Sequence, residues 1–173
     1  MLPRPLVARA QEVGDHAAAL TQAEREAAKS FSPRRRDEFS TSRAIIREIL
    51  NATGETDDTG VLIDSDGVPV WPNGWTGSIS HSRGICAAVV GRSSAVAGAG
   101  IDIERRDRMH DGIGSRVATP GEIRRIDEFR RQIQGSAVDV MSLLFSVKEA
   151  FFKYQFPSAR QWIGFQDVEL ESL

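Results

Sequence analysis

Apolar residues recur at helical spacing in two long stretches of this chain and alternate at strand spacing in several shorter ones. Over 34–50, Phe39, Ile45, Ile46, Ile49 and Leu50 return every few residues with arginines spread over the remaining face, which predicts a helix. Over 140–156, Leu143, Leu144, Val147, Phe151 and Phe152 cover overlapping faces around Lys148-Glu149, predicting a more apolar helix that forms the core of the second half. Thr21 followed by Glu24 has the spacing of a capping box and starts a helix towards Ser30, which Pro33 interrupts. Thr119-Pro120-Gly121-Glu122 starts another, with proline at the first helical position and most of its length facing solvent. Residues 1–20 are alanine-rich and read as weakly helical.

The strand signals are shorter. After a loop over 51–60, Val61, Leu62 and Ile63 form a strand closed by Asp66-Gly67 as a hairpin. Residues 78–81 alternate and are followed by an apolar run over 85–90, which together predict one antiparallel pair. Ile101-Asp102-Ile103-Glu104 alternates as a further strand, and after a turn through Pro157 and Trp162-Ile163-Gly164 a last strand covers 165–170. The resulting class is α+β, divided into residues 1–95 and 96–173.

Composition narrows the function. With 173 residues and 40% apolar content the chain can build a real core. Its 22 basic and 24 acidic residues nearly cancel, to a net charge of −2, which argues against a general nucleic-acid or membrane-surface binder. No apolar run approaches the ~20 residues needed to span a bilayer, and no basic segment followed by an apolar stretch opens the chain as a secretory signal does. The single cysteine, Cys86, sits in the apolar run and reads as core. A cytoplasmic, reduced protein is the expectation.

The chemistry is carried by acids. Asp102 and Glu104, two residues apart on a strand, project from one face about 7 Å apart and can share a cation. Hard oxygen ligands with room for water and phosphate oxygens suit Mg²⁺. Glu149 sits among Phe145, Phe151 and Phe152, where a carboxylate needs a partner. Lys153, four residues on, is the helical ion-pair candidate; a metal, or a hydroxyl proton awaiting removal, is the sharper one.

Gly100-Ile101-Asp102-Ile103-Glu104, followed some forty residues on by Phe145-Ser146-Val147-Lys148-Glu149-Ala150-Phe151-Phe152-Lys153, resembles the two-part signature of the Sfp-type 4'-phosphopantetheinyl transferases. Three further segments agree: the arginine-bearing helix 34–43, the G-x-P-x-W-P-x-G and G-S-I-S-H blocks over 67–81, and Trp162-Ile163-Gly164-Phe165. The resemblance is strongest to the siderophore-synthetase branch. It implies two similar α/β halves related by a pseudo-twofold, with the terminal strands of the second half shortened. It also implies transfer of the phosphopantetheine arm of coenzyme A to a serine of an acyl, peptidyl or aryl carrier protein, by a monomeric enzyme.

Carried over residue by residue, it makes Asp102 and Glu104 metal ligands and Glu149 a ligand, a general base, or both. Lys153 contacts phosphate, Ser80 and His81 lie beside the coenzyme A phosphates, and Arg36 and Arg43 face the 3'-phosphoadenosine end. The alternative is a truncated relative that binds coenzyme A or a carrier without transfer. A second alternative, a serine hydrolase using Ser78 or Ser80 with His81, is disfavoured by near-adjacent strand geometry and the lack of a G-x-S-x-G elbow.

Overall fold

A computed structural model describes residues 6–54, 60–105 and 114–172; of the loop expected over 51–60, residues 55–59 lie outside them. The chain divides into two compact units, Met1–Ile101 and Asp102–Leu173.

The first unit is a helix on a sheet. Three antiparallel strands run in the order β1 (Leu6–Glu12), β5 (Ile85–Arg92), β4 (Trp75–Ser82). Helix α1 (Gln22–Ala27) and the long α2 (Pro33–Ala52) precede a short hairpin, β2 (Leu62–Ile63) with β3 (Pro69–Val70). Strand β5 lies between two partners, and 86–91 is buried throughout rather than alternately. Helix α2 packs on β5 and β1, and Ile45, Ile46, Ile49 and Leu50 meet Trp75, Cys86, Ala88 and Val90 in the core. The β4–β5 turn is the two residues Arg83 and Gly84, both at positive φ (45° and 87°), the backbone a tight hairpin requires. In β2–β3, Asp64 Oδ1 accepts from the amides of Asp66 and Val68, and Gly67 takes φ 81°.

The expected helices over 21–30 and 34–50 are present, and the Thr21 capping box forms. Pro33 does more than interrupt: it opens α2 at its first turn, behind a Ser32 cap. The weakly helical reading of 1–20 is corrected. Leu6–Glu12 pairs with β5 from Leu6↔Gly91 to Glu12↔Ile85, and this non-local ladder overrides alanine's local preference.

Gly77 marks a close approach inside the sheet. A Cβ there would lie 2.3 Å from the Val89 carbonyl oxygen and 2.6 Å from the Trp71 ring. Gly77→Ala is therefore expected to destabilise the chain by roughly 1–3 kcal/mol, measured as a lower urea midpoint with unchanged slope.

The second unit is helical among its described residues: α3 (Gly114–Val117), α4 (Pro120–Arg124), α5 (Ile126–Ile133) and α6 (Ala137–Ala159). Its core is Val117, Ala118, Phe129, Val140 and Leu144. The mostly solvent-facing helix expected after Thr119 turns Glu122 and Phe129 fully inward. Pro157 does not end α6 but lies inside its last turn, near the C-cap Arg160, where it forgoes the amide bond to the carbonyl four residues back and the helix runs on only to Ala159.

Two expected strands are corrected. Residues 101–104, and with them the strand expected to carry Asp102 and Glu104, are not in a strand, and neither are 165–170, which hold a 3₁₀ turn at Phe165–Asp167. A strand needs a partner ladder, and among the described residues this unit has none. Side chains satisfy the terminal segment instead: Lys148 Nζ donates to the Phe165 carbonyl at 2.8 Å, Gln166 Nε2 to Ala118 at 2.9 Å, and the Leu170 amide to Glu122 Oε1 at 2.8 Å. The chain is thus α+β, with all described strands in its first unit; two similar α/β halves are not seen among the described residues.

Candidate functional site

Helix α6 carries the second unit's chemistry. A full capping box at Ser136 and Asp139 starts it, and it buries Val140, Leu144 and Lys148 on one side. Lys153, on the same helix, reaches back 51 residues to Asp102, its Nζ 2.6 Å from Oδ1. The Asp102 side chain is 5% exposed and that of Lys153 is 27% exposed, so the carboxylate is inside and the ammonium at the rim. Lys153 is thereby directed to Asp102, rather than only along the helix to Glu149. Glu104 and Glu149 are half-buried. Glu149 borders a groove of about 140 Å³ walled by Phe151, Phe152, Trp162 and Phe165. Phe152 stacks on Phe156 and meets Trp162 edge-on, which fixes that wall.

Lys148, beside Glu149, was not singled out by sequence. Its Nζ donates to Glu122 Oε2 at 2.7 Å, to the Val117 carbonyl at 2.9 Å and to Phe165. Burial pushes the Glu122 carboxyl up. The hydrogen bond from Lys148, the amides of Leu170 and Thr119 and the Lys148 charge outweigh this and hold it below its ordinary value. The signal was available: a lysine in so apolar a helix needs a buried acid.

In the first unit, α2 and β4 bring together His81, Glu38 and the arginines at the start of α2. Arg35 Nη1 donates to His81 Nε2 at 2.8 Å, and His81 Nδ1 lies 3.4 Å from Glu38 Oε2. The neighbouring Ser80 is buried in β4. Arg36 turns elsewhere, with Nη2 on the Phe31 carbonyl at 3.3 Å. Arg43 is inside the unit, 3% exposed, stacked 3.9 Å over the Phe39 ring and donating to the Val61 carbonyl at 2.8 Å. Burial pulls its guanidinium down to about 10. The thiol of Cys86, opposite His81 in the sheet, is pushed up to about 11 by burial and reads as core, as expected.

Asp102, Glu104 and Glu149 are the hard oxygen donors that Mg²⁺ takes. Among the described residues no three His, Cys, Asp or Glu side chains gather as a metal cluster. Asp102 faces a cation of the chain itself, the Lys153 ammonium. No helix among the described residues is long and apolar enough to cross a membrane.

Residues 11–91 match the family model of the 4'-phosphopantetheinyl transferase N-terminal domain, and residues 98–173 that of the 4'-phosphopantetheinyl transferase superfamily. The 4'-phosphopantetheinyl transferase PptT of Mycobacterium tuberculosis is 36% identical over 137 residues, 79% of this chain and 58% of that protein. Npt of Nocardia iowensis is 32% identical over 143 residues (83% and 61%), and Svp of Streptomyces mobaraensis 34% over 140 residues (80% and 55%), both bearing the same activity name. The aligned part of the chain therefore spans a little over half the length of these relatives.

Proposed function

Because the chain belongs to the 4'-phosphopantetheinyl transferase superfamily, we propose that it moves the 4'-phosphopantetheine arm of coenzyme A onto a serine of an acyl, peptidyl or aryl carrier protein. The observation that carries this reading is the buried Asp102 carboxylate facing a rim cation on the helix that also bears Glu149. The carrier serine Oγ forms a bond to the β-phosphorus. The bond from that phosphorus to the bridging oxygen breaks, and adenosine 3',5'-bisphosphate leaves with the electron pair. Glu149 takes the serine proton, directly or through water.

Asp102, Glu104 and Glu149 hold Mg²⁺ in this reading. Bound there, it supplies neutralisation of the charge that develops on the phosphoryl oxygens. Lys153, part-exposed, turns from Asp102 to a phosphate oxygen. The groove beside Glu149 offers the thin, largely aliphatic pantetheine arm an aromatic wall. In the first unit, Arg35 and His81 grip a phosphate with Ser80 beside them. The hydrogen bonds favour Arg35 over Arg36 for this grip, whereas Arg43 is spent inside the unit on the Val61 carbonyl and the Phe39 ring. The resemblance to the siderophore-synthetase branch extends the proposal to carriers of siderophore or related secondary metabolism, with a cytoplasmic monomer as part of the same reading.

The test is incubation of the purified chain with apo carrier protein, coenzyme A and Mg²⁺, reading the carrier's mass. The expected result is a gain of one phosphopantetheine, abolished by EDTA and in Glu149→Ala. No gain with several carriers, alongside measurable coenzyme A binding, would make the chain a binder without transfer.

A further inference from the structure

Glu38 belongs to neither the acid set nor the proposed transfer, yet it is a buried charge, 8% exposed, at the centre of a polar cluster in the first unit. Arg34 Nε donates to its Oε1 at 3.0 Å; Arg35 Nη1 lies 3.8 Å and His81 Nδ1 3.4 Å from its Oε2. The Arg34 and Arg35 contacts are ordinary helical pairs, four and three residues apart. The His81 contact is not, because His81 comes from β4 and is itself bonded to Arg35.

The arrangement fixes hydrogens as well as positions. With His81 Nε2 accepting from Arg35, the ring proton of a neutral imidazole is on Nδ1, facing the carboxylate. Phe31 supports Arg35 from another side, 5.7 Å from its guanidinium carbon. Exposure runs in one direction: the Arg35 and His81 side chains are 41% and 35% exposed, Glu38 only 10%. One carboxylate therefore sits beneath two guanidinium groups and an imidazole, leaving a local excess of positive charge turned towards solvent.

We infer that Glu38 is a positioning residue, holding Arg35 and His81 side by side so that together they receive a phosphate of the nucleotide end of coenzyme A. This rests on the function proposed above. Arg35 is a charged donor that needs compensation while no anion is bound, and Glu38 supplies it. When a phosphate takes Arg35, His81 Nε2 no longer accepts from it and donates once protonated, with Glu38 beside Nδ1 balancing the imidazolium. Arg35 then loses little rotamer freedom when the phosphate arrives, which is how preorganisation raises affinity. Glu38 touches no ligand in this role and acts through its two neighbours.

The experiment is calorimetric titration with adenosine 3',5'-bisphosphate, which carries phosphates but no reacting centre, on wild type, Glu38→Gln, His81→Asn and the double variant. Glu38→Gln is expected to weaken binding roughly ten- to a hundredfold, the worth of a charge-assisted contact, with melting temperature nearly unchanged. In the transfer assay it raises KM for coenzyme A and leaves kcat alone. The double variant is expected to bind like His81→Asn, because both changes disable one unit.

Equal affinity of Glu38→Gln and wild type, or losses that add in the double variant, would overturn the inference. Should Glu38→Gln fail to fold, Glu38→Asp, which keeps the charge but shortens its reach, carries the same expectation and the same refutation. Wild type that binds the bisphosphate but transfers nothing refutes the transfer reading and leaves this inference supported. Wild type that does not bind it overturns both.

Discussion

Lys148→Ala is expected to cost the unit of residues 102–172 roughly 3–5 kcal/mol, enough to unfold it in a marginal background. The ammonium is 2% exposed and its partner Glu122 fully buried, so truncation leaves a carboxylate in the core with its strongest partner gone. It also releases the Val117 and Phe165 carbonyls, and with Phe165 the attachment of the terminal segment to α6. Replacing the pair together, as Lys148→Met with Glu122→Leu, is expected to cost much less, because no buried charge is stranded.

The pH dependence has a definite sign. In the wild type the Glu122 carboxyl is held below its ordinary value of 4.5, so its contribution is complete above that pH and disappears as pH falls through the lower folded value. The variant has already lost most of that contribution, so its gap from wild type is widest near neutrality and narrows in acid. Thermal melts across pH check this; a gap that does not change with pH would mean that packing of the lysine stem, rather than the ion pair, carries the effect.

Sequence reading found what local rules encode. The capping box at Thr21, the proline-led helix start after Thr119 and the hairpin at Asp66-Gly67 are each contained in a few consecutive residues, and the structure has them as expected. It missed what needs a distant partner. Leu6–Glu12 becomes a strand only because β5 lies beside it, and Ile101-Asp102-Ile103-Glu104, for all its alternation, belongs to no strand ladder among the described residues. In the site, arginines 34 to 36 are equivalent as sequence. About 100° of helical rotation separates each from the next, and the angle of α2 on the sheet decides that Arg35 is the one to meet His81. Glu38 was invisible for the same reason: its meaning lies on β4, 43 residues further along the chain.

Asp102→Ala is expected to lower the transfer rate by about a thousandfold or more while moving the melting temperature only slightly. The contrast with Lys148 is instructive, since both positions belong to ion pairs of nearly equal length, 2.6 and 2.7 Å. What differs is where the surviving partner can go. Loss of Lys148 strands a carboxylate with no route to water, whereas loss of Asp102 leaves Lys153, 27% exposed and on a flexible stem, which hydrates by a rotamer change. Stability therefore gains little from the Asp102 pair, and a buried carboxylate that stability does not require is one whose use lies elsewhere. Asp102→Asn, which keeps the shape and removes the charge, separates the remaining possibilities. Activity lost with melting unchanged assigns Asp102 to the cation-dependent chemistry; activity retained removes it from the metal-binding set; and a steep loss of stability makes the Lys153 contact a structural anchor of α6.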